Sequence, residues 1–375
     1  MRKNLRHCTT FVLSQILGLT LIATAQPRGT QVAAPASAPA IVYPGLTWQD
    51  ANSGSLGWST AKLEQARQMW LDLPPSSVFV VHHGYLVAEW GDPALHIKLS
   101  SMRKSFLSTL YGIYLQEGKL NLNKTLNDLA IEDDPQLNPT EKQATVKMLL
   151  QARSGVYHSY LGGTPATLAN MPPRGSHAPG TFWYYNNWDF NALGAIFEQE
   201  TQTKIGIAFR DKLATPLQLQ DFRLEDMYYL RPSFNTQPGA QSLHPAYNFR
   251  LTARDMARIG YLYLRSGNWN GKQIVPAEWV KESTTAYSQP APGEGYGYLW
   301  WVDGLGLPVK SYSAQGALAK YIVVIPERDL VVVYQNHTEL PDKAPSISES
   351  DTNKLPTIST AQFSSLLKLI LAAQK

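Results

Sequence analysis

The feature that most limits the fold of this chain is a change of hydrophobic periodicity, from strands to helices and back to strands. Residues 78–81 and 85–90 predict two strands close to the start. Residues 96–255 then favour helices, separated by long loops rich in Pro, Gly and Asn. The last third returns to strands, most clearly at 321–325 and 330–334. The two ends can therefore share one mostly antiparallel sheet, with the helical block inserted between them.

Helices are also predicted on either side of this sheet. Ser59 can cap a helix on which Leu63 begins the apolar face, and residues 363–373 form an amphipathic helix. Further strands are predicted at 298–302 and 309–312. The predicted fold class is therefore mixed α/β, of the α+β kind in which the sheet is mostly antiparallel. Terminal helices flank this sheet, and an all-helical domain is inserted in it.

The N-terminus is typical of a secretory signal peptide. Arg2, Lys3 and Arg6 precede an apolar stretch at 11–22, and Ala23-Thr24-Ala25 fits a small-x-small cleavage site. The alternative, a retained membrane anchor, needs a longer apolar stretch. The predicted division is a signal peptide at 1–25, a flexible leader at 26–45 and one domain at 46–375, with its sheet part at 46–95 and 256–375 and its helical insert at 96–255.

Charge and cysteine content exclude several function classes for the exported chain. The net charge is +4, and removing residues 1–25 takes away three Lys/Arg and no Asp/Glu, which leaves +1. A nearly neutral protein has no electrostatic reason to bind nucleic acid. The single cysteine, Cys8, lies inside the signal peptide, so disulfides, thiolate zinc sites and cysteine nucleophiles are not expected. The expected location is a bacterial periplasm, with no membrane span after cleavage.

Several common catalytic motifs are absent from the sequence. It contains no G-x-S-x-G, no P-loop, no H-E-x-x-H and no G-x-G-x-x-G that opens a helix. The eight histidines lack ligand spacing, and His82-His83 at a strand end are expected to face solvent rather than bind a metal. No metal and no organic cofactor are predicted.

The motif S-x-x-K occurs three times, and its surroundings distinguish the copies. Ser59 with Lys62 belongs to a helix cap, and Ser365 with Lys368 lies inside a helix, where the hydroxyl bonds to backbone or solvent. The third copy starts a strongly apolar helix that ends near Gly118.

That third copy, Ser101 with Lys104, has the chemistry of a nucleophile and its base. At a helix N-terminus, unpaired N–H groups and the helix dipole favour an oxyanion. Lys104 lies one turn further along the same face, and burial against an apolar helix would disfavour its charged form. A neutral lysine can then activate the serine hydroxyl. The alternative is a serine that only caps the helix, beside a solvent-directed lysine.

A second cluster of polar residues precedes the predicted helix 190–198. A Tyr hydroxyl and an Asn amide two residues apart can relay a proton and orient a lysine or a carbonyl. Two Y-x-N registers overlap, Tyr184 with Asn186 and Tyr185 with Asn187. Packed aromatics in a turn remain an alternative reading of the same residues.

Together these residues resemble the serine β-lactamase and penicillin-binding protein superfamily. The resemblance is to class C-like serine hydrolases, which include esterases, D-aminopeptidases and 6-aminohexanoate-dimer hydrolases. It covers roughly 55 to 340, and the matching segments in order are Ser101-Met-Arg-Lys104-Ser-Phe, Gly118-Lys-Leu, Leu149-Leu150-Gln-Ala-Arg-Ser154-Gly155, Pro179-Gly180-x-Phe182-x-Tyr184-x-Asn186, Leu193-Gly194, Thr252-Ala-Arg-Asp255-Met-Ala-Arg258-Ile-Gly260, Tyr296-Gly-Tyr-Leu-Trp-Trp301 and Pro326-Glu-x-Asp329-Leu-Val-Val.

The resemblance implies a β-lactamase-like fold with its site between the sheet and the helical domain. It also selects a register, because the family has an aromatic residue two positions before its Tyr. Phe182 fills that position, which favours Tyr184 and Asn186.

The third motif of the family departs from its usual pattern here. Where the family has Lys or His, then Ser or Thr, then Gly, this chain aligns Ala314-Gln315-Gly316. The glycine still allows close approach to a substrate, and the Ala317 N–H can pair with that of Ser101 as an oxyanion hole. The missing cation argues against binding the carboxylate of a β-lactam.

The predicted function is a secreted serine hydrolase that passes an acyl group from a small ester or amide to water. Ser101 is the nucleophile, Lys104 and Tyr184 move the proton, and Asn186, Gln315, Gly316 and Ala317 orient the substrate. A D-alanyl peptidase, a β-lactamase, a catalytically silent binding protein and a structural secreted domain remain as alternatives.

Overall fold

The structure is a computed structural model that describes residues 41–51, 53–162, 165–231, 242–338 and 356–375. The predicted signal peptide and Cys8 lie outside these residues, as does most of the leader. No helix within the described ranges combines the length and the apolar character needed to cross a membrane.

One nine-stranded sheet forms the centre of the fold. The strands within the described residues are β1 (Gln49–Asp50), β2 (Ser76–His82), β3 (Tyr85–Trp90), β4 (Ile97–Lys98), β5 (Met227–Leu230), β6 (Ala246–Leu251), β7 (Asn268–Trp269), β8 (Lys272–Gln273), β9 (Ser288–Ala291), β10 (Glu294–Tyr296), β11 (Trp301–Asp303), β12 (Tyr312–Gly316), β13 (Lys320–Ile325) and β14 (Leu330–Asn336). The large sheet has the order β1-β3-β2-β14-β13-β12-β11-β10-β9. Its pairs are antiparallel apart from β1 with β3. Both ends of the chain thus share one mostly antiparallel sheet, as predicted.

The central strands are covered on both faces. Every residue of β2, β13 and β14 is buried, which explains why their sequences are apolar almost throughout rather than alternating. One face of these strands packs against the larger core, which includes Phe79 and Ile322. The other face packs against a second core, which includes Val80 and Val323.

Helices lie on both sides of the sheet and in the insert. The prediction that the insert is all-helical is wrong, because β4, β6 and β5 form a three-stranded sheet within it. The helices within the described residues are α1 (Thr60–Leu71), α2 (Arg103–Gln116), α3 (Val146–Leu150), α4 (Pro165–Ala169), α5 (Asn187–Thr201), α6 (Ile205–Phe209), α7 (Ala253–Leu264), α8 (Ala277–Ser283) and α9 (Thr360–Ala373). The terminal helices α1 and α9 belong to the second core, whereas α2, α5 and α7 belong to the larger one. Ser59 caps α1, as predicted, by accepting a hydrogen bond from the Lys62 N–H.

Two predicted strands are shifted along the chain. Residues 298–300 form a turn rather than a strand, because Leu299 has φ +64° and the Gly297 N–H donates to the Trp300 carbonyl at 2.9 Å. The strands begin only at β11 and β12, so the prediction of 309–312 ends where β12 starts. Buried aromatic side chains at Tyr298 and Trp300 produce a strand-like pattern without strand pairing.

Candidate active site

Ser101 lies where the helical insert meets the sheet. It belongs to a short 3-10 turn, Ser100–Met102, that leads directly into α2. Ser100 has φ +53°, an unusual left-handed conformation for a residue with a side chain. The Leu99 N–H donates to the Phe249 carbonyl at 2.9 Å, which fixes the segment that precedes the serine. Ser101 thus lies at the start of an apolar helix, as its sequence context predicted. The turn that carries it is constrained by the conformation of Ser100.

Lys104 is buried beside Ser101. Its Nζ lies 2.9 Å from the Ser101 Oγ, and only 2% of the residue is exposed. The same Nζ also lies over the rings of Tyr185 and Phe190, at 4.2 Å and 4.5 Å from their centroids. Burial, and then the charge of Arg103, hold the pKa of Lys104 well below its usual range. A lysine with a lowered pKa within hydrogen-bond distance of a serine can accept the hydroxyl proton.

Tyr185, not Tyr184, completes this cluster. The Tyr185 hydroxyl lies 2.7 Å from the Lys104 Nζ, whereas the Tyr184 hydroxyl donates to the Thr167 carbonyl at 2.9 Å. Burial raises the pKa of Tyr185 to about 12, so this phenol stays protonated at neutral pH. The register predicted from Phe182 is therefore wrong for the position of the tyrosine.

The reason is the alternation of side chains in an extended segment. Trp183 and Tyr185 point to one side, where both rings pack near Trp301, at 6.2 Å and 5.5 Å. Tyr184 points to the other side and packs edge-on against Tyr157. The overlapping Y-x-N registers showed both possibilities, but the sequence alone could not tell which side faces the lysine.

Asn186 caps a helix and does not approach Lys104 through any hydrogen bond of the described residues. Its Oδ1 accepts from the Trp188 N–H at 3.2 Å, and its Nδ2 donates to Val156 and Asp189, at 2.6 Å and 2.9 Å. Two of these bonds serve the start of α5, and the third ties it to the loop that carries Val156. The prediction that Asn186 orients the lysine or the substrate is corrected to a capping role, and Asn187, buried as the first residue of α5, occupies the other register.

The third motif lies on β12, beside the segment that carries Ser101. A side chain at Gly316 would bring its Cβ within 2.3 Å of the Leu99 carbonyl oxygen, so only glycine permits this approach. Ala314 is fully buried, and the Gln315 amide donates to the Ser313 Oγ at 3.0 Å. Ala317 follows the end of the strand and is exposed. Gly316 thus lets β12 approach the backbone segment before Ser101, and the approach to a substrate stays a prediction. The Gln315 hydrogen bond goes to its own strand.

Lys310 and Lys320, the lysines nearest to this motif in sequence, have other contacts, and so does Arg250 on β6. The Lys310 Nζ pairs with the Asp303 carboxylate at 3.0 Å and is exposed. The buried Lys320 lies opposite Gly316 on β13, and its Nζ donates to the Ala317 carbonyl at 2.9 Å. The Arg250 guanidinium lies over the Tyr228 ring, at 5.3 Å from its centroid.

An aromatic wall, defined as Trp183, Tyr296 and Trp301, lines the Tyr185 side of the cluster. The Trp301 ring stacks on Tyr185, with centroids 5.5 Å apart and planes 26° apart. Tyr296 and Trp183 pack edge-on against one another at 5.6 Å. Sequence reasoning did not assign these residues to the site, although the richness in aromatics was the available signal.

The paired histidines differ from one another. His82 is buried, with its Nδ1 accepting a hydrogen bond from the Trp58 Nε1 at 3.0 Å, so the expectation that it faces solvent is wrong. His83 pairs through its Nδ1 with the Asp329 carboxylate at 2.6 Å. Within the described ranges, no group of three or more His, Cys, Asp or Glu side chains is placed to hold a metal ion.

Comparison with known families places these features in context. The sequence model described as Beta-lactamase matches residues 62–348, which is more than half of the chain and includes Ser101, Lys104 and the third motif. An uncharacterized protein from Alkalihalophilus pseudofirmus is 22% identical over 298 residues, covering 70% of this chain and 84% of the relative.

Solved structures share the same fold at low identity. A protein from Bacillus anthracis assigned as a 6-aminohexanoate-dimer hydrolase has a TM-score of 0.60 and 19% identity, covering 82% of this chain and 80% of its own. The octameric penicillin-binding protein homologue from Pyrococcus abyssi has a TM-score of 0.57 and 20% identity, covering 86% and 78%. A D-stereospecific amidohydrolase from Streptomyces has a TM-score of 0.52 and 19% identity, covering 74% and 94%. At these identities the likeness concerns the fold alone.

Proposed function

The chain belongs to the beta-lactamase family, a family of serine hydrolases, and from this premise we propose that it is a secreted enzyme that hydrolyses a small ester or amide through an acyl-Ser101 intermediate. The observation that carries the proposal is the buried Lys104 Nζ, which lies within 2.9 Å of the Ser101 Oγ and 2.7 Å of the Tyr185 hydroxyl. A chain that only binds ligands has no need of this arrangement, because it places a nucleophile, a base and a second proton carrier in contact.

In the first step, the Ser101 Oγ attacks the substrate carbonyl while its proton passes to the neutral Lys104 Nζ. The carbonyl oxygen becomes an oxyanion, for which the Ser101 and Ala317 N–H groups are the proposed donors. When the tetrahedral intermediate collapses, the C–O or C–N bond breaks and the leaving group takes the proton from Lys104. The Tyr185 hydroxyl can relay this proton because it is bonded to Lys104 and remains protonated.

In the second step, water replaces the leaving group. Lys104, neutral again, accepts a proton from the water as the water oxygen attacks the acyl carbon. The acyl–Oγ bond then breaks, the carboxylic acid departs and the proton returns to the Ser101 oxygen. Nucleophile and base are regenerated by the same pair of residues.

The surroundings of the cluster favour an uncharged substrate. β-Lactams carry a carboxylate beside the reacting ring, and a charge-assisted hydrogen bond to it is worth roughly 1.5–3 kcal/mol. The aligned third motif offers Ala314 and Gln315 in place of a cation. The aromatic wall adds apolar surface next to Tyr185. We therefore propose small neutral esters or amides as substrates, with D-alanyl peptides and β-lactams as alternatives.

A comparison of two chromogenic substrates tests this substrate class. We expect p-nitrophenyl acetate to be hydrolysed with a higher kcat/KM than nitrocefin, and Ala314→Lys to raise the value for nitrocefin relative to the ester. ω-Amino-acid amides and D-alanyl peptides assayed on the same sample separate the amide alternatives. Efficient nitrocefin hydrolysis by the wild type, unchanged in Ala314→Lys, would contradict the proposed role of the third motif.

Two further readings have direct tests. A catalytically silent binding protein, or a purely structural domain, would not react with a fluorophosphonate probe, whereas the proposed enzyme is labelled.

The proposed export to a bacterial periplasm rests on residues 1–25. N-terminal sequencing of the exported protein should find a start at or near Gln26, and a chain that retains Cys8 would instead support an anchor.

A further inference from the structure

Arg103 is a buried cation that the proposed reaction does not use. Only 4% of the residue is exposed. Its Nη2 donates to the Asn191 Oδ1 at 3.1 Å, and its guanidinium carbon lies 4.4 Å from the centroid of the Tyr247 ring. Its Nη1 is buried without a hydrogen-bond partner among the described residues. Both polar contacts of this guanidinium are with uncharged groups.

A buried charge without a counter-ion is costly for a fold. Among the described residues, no Asp or Glu carboxylate oxygen lies within 4.0 Å of the Arg103 guanidinium nitrogens. Arg254, by contrast, is paired with the Asp221 carboxylate. If Arg103 only fastened α2 to α5, an uncharged side chain of similar length would do so at lower cost. The uncompensated charge itself therefore calls for an explanation.

Lys104, the next residue of α2, is the group on which the charge of Arg103 acts. Arg103 and Lys104 both lie in the first turn of α2, and they contact the consecutive α5 residues Asn191 and Phe190. The N-terminal end of a helix already disfavours positive charge. After burial, Arg103 is the second cause that lowers the pKa of Lys104, and its charge also acts to lower the pKa of Tyr185. The two groups that move the proton in the proposed reaction, Lys104 and Tyr185, are thus both affected by this one guanidinium.

The other titratable groups near the pair do not neutralise it. Tyr185 contacts Lys104, Tyr247 contacts Arg103, and Tyr296 packs against Tyr185. Burial raises the pKa values of all three phenols. Asp189 is a buried carboxyl in the first turn of α5, and burial raises its pKa well above the usual range. Its Oδ1 accepts hydrogen bonds from Ser154 and Asn186 rather than from a cation.

We propose that Arg103 is a positioning residue whose uncompensated charge keeps Lys104 in the neutral form that accepts the serine proton. This inference rests on the proposed function, in which Lys104 is the base. It implies that the acidic limb of the pH profile, where the base becomes protonated and activity is lost, depends on the charge at position 103. A purely structural role predicts lower stability with no movement of that limb.

The test is the pH dependence of kcat/KM for p-nitrophenyl acetate, measured on the full exported protein. Arg103→Met and Arg103→Gln remove the charge, and Gln retains a donor for Asn191. We expect the midpoint of the acidic limb to move to higher pH by about one unit or more in both variants, because a positive neighbour no longer disfavours protonated Lys104. Arg103→Lys keeps the charge and should restore the wild-type midpoint.

Arg258→Met is the matched control, because Arg258 is a fully buried arginine on α7 that donates to the backbone carbonyls of Leu217 and Leu46. It should lower the melting temperature without moving the acidic limb. If Arg103→Met does not fold, Arg103→Gln and Arg103→Lys give the same comparison. A folded charge-free variant with an unmoved limb overturns the inference, as does a shift that Arg103→Lys fails to reverse.

Failure of the proposed function gives a different result. The rate of Ser101 labelling by a fluorophosphonate should follow the same acidic limb in each variant. Labelling that stays on Ser101 while the limb does not respond to position 103 overturns only the role of Arg103. Labelling and hydrolysis that persist in Ser101→Ala overturn the proposed function and this inference with it.

Discussion

The two S-x-x-K sequences at Ser59 and Ser101 have the same spacing and opposite surroundings. The Ser59 Oγ accepts from the Lys62 backbone N–H at 3.4 Å, and the Lys62 Nζ turns away to the exposed Ala372 carbonyl at 3.1 Å. At the other site the lysine Nζ lies 2.9 Å from the serine Oγ, in a residue that is only 2% exposed. Spacing brings a lysine near a serine, but burial decides which group the lysine meets.

This comparison supports the proposal that Ser101, and not Ser59, is the nucleophile. The Lys62 Nζ bonds to the Ala372 carbonyl and not to the Ser59 Oγ, so it is not placed to accept a proton from that hydroxyl. A capping hydroxyl is already held by the helix backbone. The third copy behaves like the first, because the Ser365 Oγ donates to the Ala361 carbonyl at 3.0 Å on an exposed helix surface.

Loss of the nucleophile should have the largest effect. Ser101→Ala should abolish labelling by a fluorophosphonate and lower kcat by up to about 10⁶-fold, because no other group can form the acyl-enzyme. The measurement is the labelled fraction by mass spectrometry, with peptide mapping of the adduct. Ser59→Ala is the control and should be labelled like the wild type. An adduct on Ser59 or Ser365 would overturn the distinction between the sites.

The two lysines should differ next most strongly. Lys104→Ala should lower kcat about 10²–10⁴-fold, the usual contribution of a positioned base. Lys62→Ala should leave kcat within about twofold, since surface changes of this kind have small effects. Steady-state kinetics with p-nitrophenyl acetate decide the question. Equal losses in the two variants would show that burial is not the deciding factor.

The adjacent tyrosines provide a finer test of the register. Tyr185→Phe should lower kcat by about 10²-fold or more, because it removes the hydroxyl bonded to Lys104. Tyr184→Phe removes only a hydrogen bond to the Thr167 carbonyl and should change kcat little. The same ester assay measures both. A larger loss in Tyr184→Phe would restore the register that the family resemblance suggested.

Acid should destabilise the fold through the buried His82, which accepts a hydrogen bond from Trp58, the residue before Ser59. Burial, followed by the charges of His83 and Arg265, lowers the pKa of His82 to about 4. Protonation of Nδ1 would also place it against the Trp58 N–H donor. Because the unfolded histidine binds its proton near pH 6.5, stability is complete above that pH and is lost progressively towards pH 4, by about 2–3 kcal/mol.

Urea unfolding of the wild type and of His82→Gln across pH 4–7 measures this effect. The variant should have a lower free energy of unfolding at pH 7 and a flatter dependence on pH. Parallel curves for the two proteins would place the acid sensitivity elsewhere.

The smallest expected effect concerns the Ser59 cap. Ser59→Ala should lower the free energy of unfolding by about 1 kcal/mol, because the first turn of α1 loses a hydrogen-bond acceptor. Urea unfolding at neutral pH measures the change, and Ser59→Asp, which can also cap, should retain most of the stability. A loss of kcat without a loss of stability in Ser59→Ala would instead indicate that Ser59 takes part in the reaction.

The sequence by itself determined most of the architecture, although not the three-stranded sheet of the insert, and it distinguished Ser101 as the proposed nucleophile. Runs of apolar residues at strand and helix spacing record the burial of whole elements, so the two-ended sheet and the helices α1, α2, α5 and α9 follow from local patterns. Ser101 was distinguishable from Ser59 and Ser365 because a helix start within an apolar sequence is also a local feature.

Only the tertiary structure decided which side chains meet that serine. Tyr184 and Tyr185 are chemically identical, and the choice between them depends on which side of an extended segment faces Lys104. Arg103 and the aromatic wall join the site because α2, α5, β6, β10 and β11 converge there. Contacts between residues 80 to 200 positions apart leave no periodic trace in a single sequence, since periodicity reports the burial of a residue and not the identity of its partner.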